Sequence, residues 1–340
     1  MTRIWFNHWF STAYNIINMI RADNPSFIFI GSNENEYSPI AAACDEWYME
    51  PALKSEDYVD YCLFFCKEHC IDVFMPRREM LSISRRKKEF ESIGTRVMVD
   101  DYSIISVLNH KDQAYSYMKA QGVTTIPEYH IVTSKEKFLE AYYDLVSRYR
   151  EVCFKFVHDE GGKSFRLIDN NRKGYSSLFK KQNTRMTLDL VLEALSEKES
   201  FSPMMVMPNL SGNEVSVDCL NTNNGLIMLP REKDPTRIEK LIFTPEIESI
   251  TREIYDAVHL EWPCNIQFKY LDGKPYFLEV NTRMSGGVQM ACLASTVNIP
   301  SIAVNKILGV DKPWSIQKKD CFITHVEAPI VLENHLQITN

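Results

Sequence analysis

Over the first hundred residues, short apolar runs at Arg3–Phe6, Phe27–Ile30, Val73–Met75 and Arg96–Val99 alternate with helix-length segments, the last of them Arg78 to Ile93. That rhythm predicts a parallel sheet flanked by helices. A dinucleotide site in such a sheet needs a Gly-x-Gly-x-x-Gly turn after the first strand, and Phe6-Asn-His-Trp-Phe-Ser-Thr-Ala13 contains no glycine. A nicotinamide cofactor therefore loses its main support.

Asn109 is the expected cap of a helix running from Lys111 to Gln121, with Gly122 as its stop, so a domain boundary is placed at residue 108. Beyond it the pattern reads strand (Tyr129–Val132), helix (Ser134–Tyr149), strand (Val152–Val157), glycine turn, strand (Ser164–Ile168), helix (Thr187–Leu195) and strand (Met204–Met207). This is an α+β lobe over 109–205, built on antiparallel strands. A second lobe over 206–340 should hold strands near 215–221 and 225–229, a helix at 246–259 capped by Thr244-Pro245, and a hairpin from 264 to 282. Helices to Gly309 and a closing strand from Cys321 to Leu332 complete it.

Composition adds limits to this picture. A chain of 340 residues exceeds one ordinary core, which fits two or three domains. Hydrophobic residues at 45% and charged residues at 24% are globular values, and no apolar run approaches the roughly 20 residues needed to cross a bilayer. Met1-Thr-Arg-Ile-Trp-Phe6 enters a strand-like run without the zones of a secretory signal, so a cytoplasmic location is expected. The nine cysteines sit mostly singly in apolar runs, as reduced thiols do, and no structural disulfide is expected. Cys62, Cys66 and Cys70 recur every four residues beside His69, but the spacing matches no usual zinc or iron–sulfur pattern, and the reading is a helix face packed on a sheet. A net charge of -7 argues against nucleic acid as a partner, and Arg85-Arg-Lys-Lys88 is short enough to be one solvated helix face.

Candidate chemistry begins at the hairpin. Asn265-Ile-Gln-Phe-Lys-Tyr-Leu271 and Pro275-Tyr-Phe-Leu-Glu-Val-Asn281 both alternate, with Asp272-Gly273 between them as a turn signal. A three- or five-residue loop would gather Gln267, Glu279 and Asn281 on one face, with Gln267 across from Glu279 at roughly 4.5–5.5 Å between β-carbons. Arg283 continues that face. Two oxygen-bearing side chains with a carboxylate suit Mg, and an arginine beside them suits phosphate. The alternative is an ordinary solvated polar face.

Two glycine pairs bear on that choice. Lys155 ends an apolar strand and leads into Gly161-Gly162-Lys163, where backbone amides can approach phosphate. A Walker A loop is excluded, because Val157 stands where its first glycine belongs and the segment enters a strand. Alone, the turn reads as a common hairpin. Gly286-Gly287 precede a helix expected from Val288 to Thr296, whose amino end can receive an anion such as a substrate carboxylate.

Taken in order, Lys111, Lys155, Gly161-Gly162, Glu214, Gln267, Glu279-Val-Asn281 and Arg283 resemble the ATP-grasp superfamily, and within it one half of the carbamoyl-phosphate synthetase large subunit. The resemblance is sharpest over Asn265–Phe268 and Phe277–Gly309 and looser over about residues 3–310. It implies a pre-ATP-grasp α/β domain followed by two α+β lobes that clamp ATP. Lys111 and Lys155 would hold phosphates, with Lys163 at the glycine loop; the carbonyl of Pro208 and the amide of Leu210 would read adenine, and Glu214 the ribose. Gln267, Glu279 and Asn281 would hold Mg2+, with Mn2+ as the alternative, and Arg283 would stabilise the phosphoryl group in transfer.

Departures from the family pattern are visible. Pro208 stands where glutamate is usual, and neutral Gln267 where many relatives have an acid, which would favour one tightly held Mg2+ over two. Arg231 lies in Pro230-Arg-Glu-Lys-Asp-Pro-Thr-Arg237, where relatives contact phosphate or substrate; it is a catalytic candidate whose alternative is a salt-bridged surface loop. Carbamoyl phosphate synthesis itself needs two such halves and an ammonia source. The resemblance therefore implies a single-unit, ADP-forming ligase joining a carboxylate to an amine or thiol through an acyl phosphate, with a homodimer as one option. A kinase stopping at a phosphorylated product and a non-catalytic ATP-sensing module are the rivals. A looser resemblance connects the chain to ATP-grasp proteins of tellurium-resistance operons.

Overall fold

The computed structural model describes residues 1–158, 162–171 and 184–332. The chain opens with β1 (Arg3–Asn7), α1 (Ala13–Asp23), β2 (Ile28–Asn33), a 3-10 turn (Pro39–Ala43), β3 (Glu46–Met49), α2 (Ser55–Glu68) and β4 (Val73–Met75). It continues through α3 (Met80–Arg85), α4 (Lys87–Ser92), β5 (Arg96–Val97) and α5 (Tyr102–Leu108). The five strands form one parallel sheet in the order β3-β2-β1-β4-β5. Successive residues of β1 feed opposite faces, as strand geometry requires: Ile4 and Phe6 join α1 in one apolar cluster, and Trp5 joins α2 in the other. Trp5 is stacked on Phe65 and Phe74 at 4.3 and 4.2 Å, and its indole donates to Ser32 Oγ at 2.8 Å.

Arg78–Ile93 is two helices rather than the one expected. Glu79 takes the left-handed conformation (φ 53°) before α3, and Arg86 leaves helical geometry between α3 and α4. Its guanidinium instead holds Asp60 at 2.6 Å and Glu89 at 2.7–2.8 Å. Cys62 and Cys66 pack in the core, where burial pushes their thiols upward, while Cys70 lies exposed in the turn after α2 with φ 50°. The three do not share one helical face.

Next come α6 (Lys111–Ala120), β6 (His130–Val132), α7 (Lys135–Val146), β7 (Val152–Phe156), β8 (Arg166–Ile168), β9 (Arg185–Met186), α8 (Leu188–Leu195) and β10 (Met204–Pro208). His110, not Asn109, flanks α6, and it caps nothing with its side chain; Gly122 ends the helix at φ 85°. Ser134 and Thr187 cap α7 and α8 through their hydroxyls. The sheet runs β6-β10-β7-β8-β9. Its β8–β9 pair is parallel, a departure from the all-antiparallel expectation.

The remainder is β11 (Glu214–Thr222), β12 (Gly225–Lys233), β13 (Ile238–Leu241), α9 (Pro245–Val258), β14 (Cys264–Leu271), β15 (Lys274–Asn281), α10 (Val288–Ser295), α11 (Ile299–Ile307) and β16 (Cys321–Thr324). The strands order as β15-β14-β11-β12-β13-β16. β13, four residues with two charges, is too short for periodicity to reveal, and the closing strand stops at Thr324. Its expected continuation is exposed and contains Pro329, which has no ladder donor. The chain forms two compact units, one of residues 1–106, 214–267 and 280–340, the other of 107–213 and 268–279. Among the described residues no helix is long and apolar enough to cross a membrane.

Candidate active site

In the second unit, Lys155 sits on β7 opposite Met205 of β10 and is only 7% exposed. Gly162 follows with φ 67°, a conformation glycine accepts at low cost, and the amide of Phe165 returns to its carbonyl at 3.1 Å. Lys163 is exposed. Gly161 lies outside the described residues. The His158 ring at the end of β7 meets the His110 ring edge-on at 4.8 Å, which brings Lys111, the first residue of α6, to the glycine-turn end of the strand. Nothing in the spacing of these histidines signalled the contact.

The main chain after β10 is fixed from both sides. Asn209 N–H donates to the carbonyl of Glu151 at 2.8 Å, and the Asn209 side chain to its carboxylate at 2.7 Å. Cys153 donates its thiol to the carbonyl of Pro208 at 3.7 Å, and Leu210 is buried. Gly212 is required by close approach, since a Cβ there would come within 2.6 Å of Tyr270 Cβ. Tyr115, fully buried, donates to the carbonyl of Leu278 at 3.1 Å; burial first, and the Glu279 carboxylate among its neighbours, push its phenol upward.

The loop between β14 and β15 is two residues, Asp272 and Gly273, both at positive φ (50° and 76°), not the three or five expected. In β15 the buried positions run Pro275, Phe277 and then Val280, so the alternation slips by one residue between 277 and 280. Such a slip reverses which residues face the core, as a β-bulge does. Glu279 and Asn281 therefore flank buried Val280 on a half-exposed phase, and Gln267 lies likewise between fully buried Ile266 and Phe268.

The first unit holds a polar chain inside its sheet. Arg231, 1% exposed, donates from Nε and Nη2 to Asp218 Oδ2 at 3.2 and 3.0 Å, from Nη1 to Glu239, and from Nη2 to Ser285 Oγ at 3.1 Å. It is no surface loop residue. Asp218 Oδ1 accepts from Asn265 Nδ2 at 3.0 Å, so the Asn265 oxygen faces the other way and accepts from Gln267 Nε2 at 3.1 Å. The Gln267 NH2 is thereby committed within the protein. Its Oε1 takes no part in this chain of hydrogen bonds. Glu214, at the start of β11, is paired with Lys233 at 2.6 Å.

Arg283 lies past the end of β15, its guanidinium carbon 5.4 Å from the centroid of the Phe10 ring, and Arg77 lies 5.7 Å from the same ring. Ser285 Oγ also accepts from the amide of Gly287, the residue before α10. Gly287 is there because Arg231 is: a Cβ would come within 2.4 Å of its Nη1. Elsewhere, Glu128, His130 and Asp144 are close enough to share a cation, but Arg148 already holds both carboxylates at 2.5–2.6 Å.

Residues 200–328 match the family model described as ATP-grasp in the biosynthetic pathway with Ter operon. The chain is 20% identical over 290 residues to the carbamoyl phosphate synthase large chain of Pseudothermotoga lettingae, covering 83% of this chain but 25% of that one, so it spans about a quarter of the length of that relative. Among solved structures, N5-carboxyaminoimidazole synthetase from Staphylococcus aureus in complex with ADP superposes with a TM-score of 0.70 at 15% identity, over 96% of this chain and 82% of that one. The biotin carboxylase domain of Hydrogenobacter thermophilus 2-oxoglutarate carboxylase, bound to MgADP, ADP and bicarbonate, gives 0.68 at 16% identity over 93% and 71%. L-amino acid ligase from Bacillus licheniformis gives 0.63 at 13% over 90% and 74%. The fold is the one these solved structures share, the ATP-grasp fold.

Proposed function

We infer that this protein is a Mg-ATP-dependent, ADP-forming ligase that activates a carboxylic acid as an acyl phosphate and passes the acyl group to an amine or thiol. A carboxylate oxygen attacks the γ-phosphorus, the bond from that phosphorus to the β,γ-bridging oxygen breaks, and ADP leaves. The nucleophile then attacks the acyl carbon, loses its proton, and expels inorganic phosphate. Lys111 and Lys155 with Gly161, Gly162 and Lys163 hold the phosphates, the main chain at Pro208 and Leu210 takes adenine, and Glu214 takes the ribose once released from Lys233. Gln267, Glu279 and Asn281 fit Mg2+ because Mg takes oxygen donors; bound there, the ion neutralises phosphate charge. Arg283 stabilises the phosphoryl group in transfer, and Arg231 positions the Ser285–Gly287 turn without touching reactants.

The observation that carries this reading is the oriented amide chain from Asp218 through Asn265 to Gln267. A solvated polar face has no need to commit the Gln267 NH2 inward and leave its oxygen outward. The solved ligases with bound ADP lend the nucleotide, and only the fold relates them to this chain. ADP release from Mg-ATP, screened against pools of carboxylic acids and amines, tests the reading. Release that requires both an acid and an amine or thiol supports it; release that needs neither, or a stable phosphorylated product, overturns it.

A further inference from the structure

The parallel sheet of the first unit changes its direction of growth at β1: β2 and then β3 are added on one side of it, β4 and then β5 on the other. In open α/β sheets, ligands bind in the crevice outside the carboxyl ends of the strands at such a switch point. Asn7, fully buried at the end of β1, ties the two sides together, since its Oδ1 accepts from the amide of Arg77, just past β4, at 2.6 Å. His8 follows at once with φ 49°, a left-handed conformation that histidine adopts more readily than most side chains and that its surroundings must hold. The loop it opens packs against Arg283. Trp9 and Arg283 wall one narrow cavity, and the Arg283 guanidinium lies 5.4 Å from the centroid of the Phe10 ring.

The two ring nitrogens of His8 have different surroundings. Nδ1 is buried without a hydrogen bond and lies 3.7 Å from Oε2 of Glu50, whose side chain is 0% exposed. Three donors fix Glu50 in place, Ser32 Oγ at 2.8 Å, Tyr58 OH at 2.8 Å and Arg78 Nη1 at 3.4 Å. The His8 side chain is 40% exposed, and none of the described residues makes a hydrogen bond to its Nε2. One nitrogen beside a fixed carboxylate and the other open to solvent is how a histidine is presented as a base.

We propose that His8 is the general base of the second half-reaction, with Glu50 as its positioning carboxylate; the proposal rests on the ligase reading above. As the lone pair of the amine or thiol forms its bond to the acyl carbon, Nε2 of the neutral imidazole takes the proton that the attacking atom loses. The bond from the acyl carbon to the phosphate oxygen breaks, and inorganic phosphate leaves with the electron pair. The imidazolium, steadied by Glu50, returns its proton to solvent before the next turnover. Activation of the acid needs no such base, because the attacking carboxylate carries no proton. His8 therefore acts in the second step alone.

Glycine is the informative replacement, because it takes φ 49° at no steric cost and leaves room for imidazole. The full chain is assayed with the acid and the amine that release ADP fastest from the wild type in the screen above. In a parallel assay hydroxylamine, which attacks acyl phosphates without enzymic help, replaces the amine and traps the intermediate as a hydroxamate. His8→Gly should lower formation of the ligated product by roughly 10²–10⁴ at saturating substrates, with hydroxamate yield and Mg-ADP affinity at the wild-type values. Added imidazole should restore product formation in His8→Gly and leave the wild type unchanged. His8→Asn, which also tolerates the left-handed backbone, should be equally slow. Wild-type product formation in His8→Gly, or a slow variant that imidazole does not accelerate, overturns the assignment. An equal loss of hydroxamate does so too, because it puts His8 in the activation step. A wild type that forms no hydroxamate with any acid, and releases ADP without one, sinks the ligase reading itself and this role with it.

Discussion

Asp218 lies 3.0 Å from both Asn265 Nδ2, through its Oδ1, and Arg231 Nη2, through its Oδ2. One buried carboxylate thus orients an amide chain that ends at Gln267 and anchors an arginine that ends at Ser285. Replacing it by alanine strands Arg231 in the interior with Glu239 and Ser285 as partners. Breaking a buried pair on one side costs about 3–5 kcal/mol, so Asp218→Ala should lose that much stability in urea unfolding. A loss below about 1 kcal/mol would mean that the chain is not a fixed element of the fold.

The adjoining turn allows a cleaner comparison. Gly287 has φ −109° and ψ 7°, which alanine also adopts, so the effect of Gly287→Ala comes from the Cβ meeting Arg231 rather than from backbone strain. The end of an arginine is normally free to move aside. Here three partners hold it, and the substitution should cost roughly 1–3 kcal/mol as overpacking does. Gly286→Ala is the control, because its nearest contact would be Thr12 Oγ1 at 3.7 Å, and its unfolding midpoint should stay at the wild-type value. Equal midpoints for the two variants would remove the bracing role given to Arg231.

Asp100 gives a pH signature. It is 4% exposed, its Oδ1 accepts from the amides of Glu261 and Trp262 at 2.6 and 3.3 Å, and burial, the largest influence, lifts its carboxyl to about 6. A carboxyl raised in the native state holds its proton where the unfolded chain has lost it. Its contribution to stability is therefore fully present below about pH 3.9 and is lost as pH rises to about 6, on the order of 3 kcal/mol over that span. Asp100→Asn should flatten this fall, read as the urea midpoint between pH 4 and 7. A wild-type slope retained in the variant would assign the titration to other groups.

The sequence made the strands that carry the proposed site legible through their alternation, and the residues proposed for the nucleotide were chosen by their order along the chain. What it could not show follows from how contacts are made. The offset of the hairpin came out differently, because a two-residue turn at Asp272-Gly273 is followed by a slip in burial between Phe277 and Val280, and the alternation of residue types shows neither. Ser216, Asp218 and Asn265 read as ordinary polar positions, although Asp218 amid Val215, Val217 and Cys219 was a charge on a strand buried on both faces. Trp9, Met75, Met98, Trp262 and Met284 meet around one cavity from parts of the chain far apart, and no short-range pattern connects them.

Arg283 is the residue on which the chemical reading turns. It follows two of the proposed Mg ligands, lines the cavity, and carries a guanidinium beside the Phe10 ring at 5.4 Å. Charge that is positioned before reaction stabilises the developing transition state without reorganising, so Arg283→Ala should lower turnover by roughly 10²–10³ with Mg-ATP affinity nearly unchanged. Lysine should restore little, because a point charge on a flexible stem lacks the planar fork and its bidentate geometry. KM for ATP should stay at the wild-type value. The measurement is steady-state ADP release with each substrate varied in turn, beside calorimetry with a non-hydrolysable ATP analogue. Full turnover in the alanine variant would make Arg283 structural; lost nucleotide affinity with normal turnover at saturation would make it a ground-state phosphate anchor.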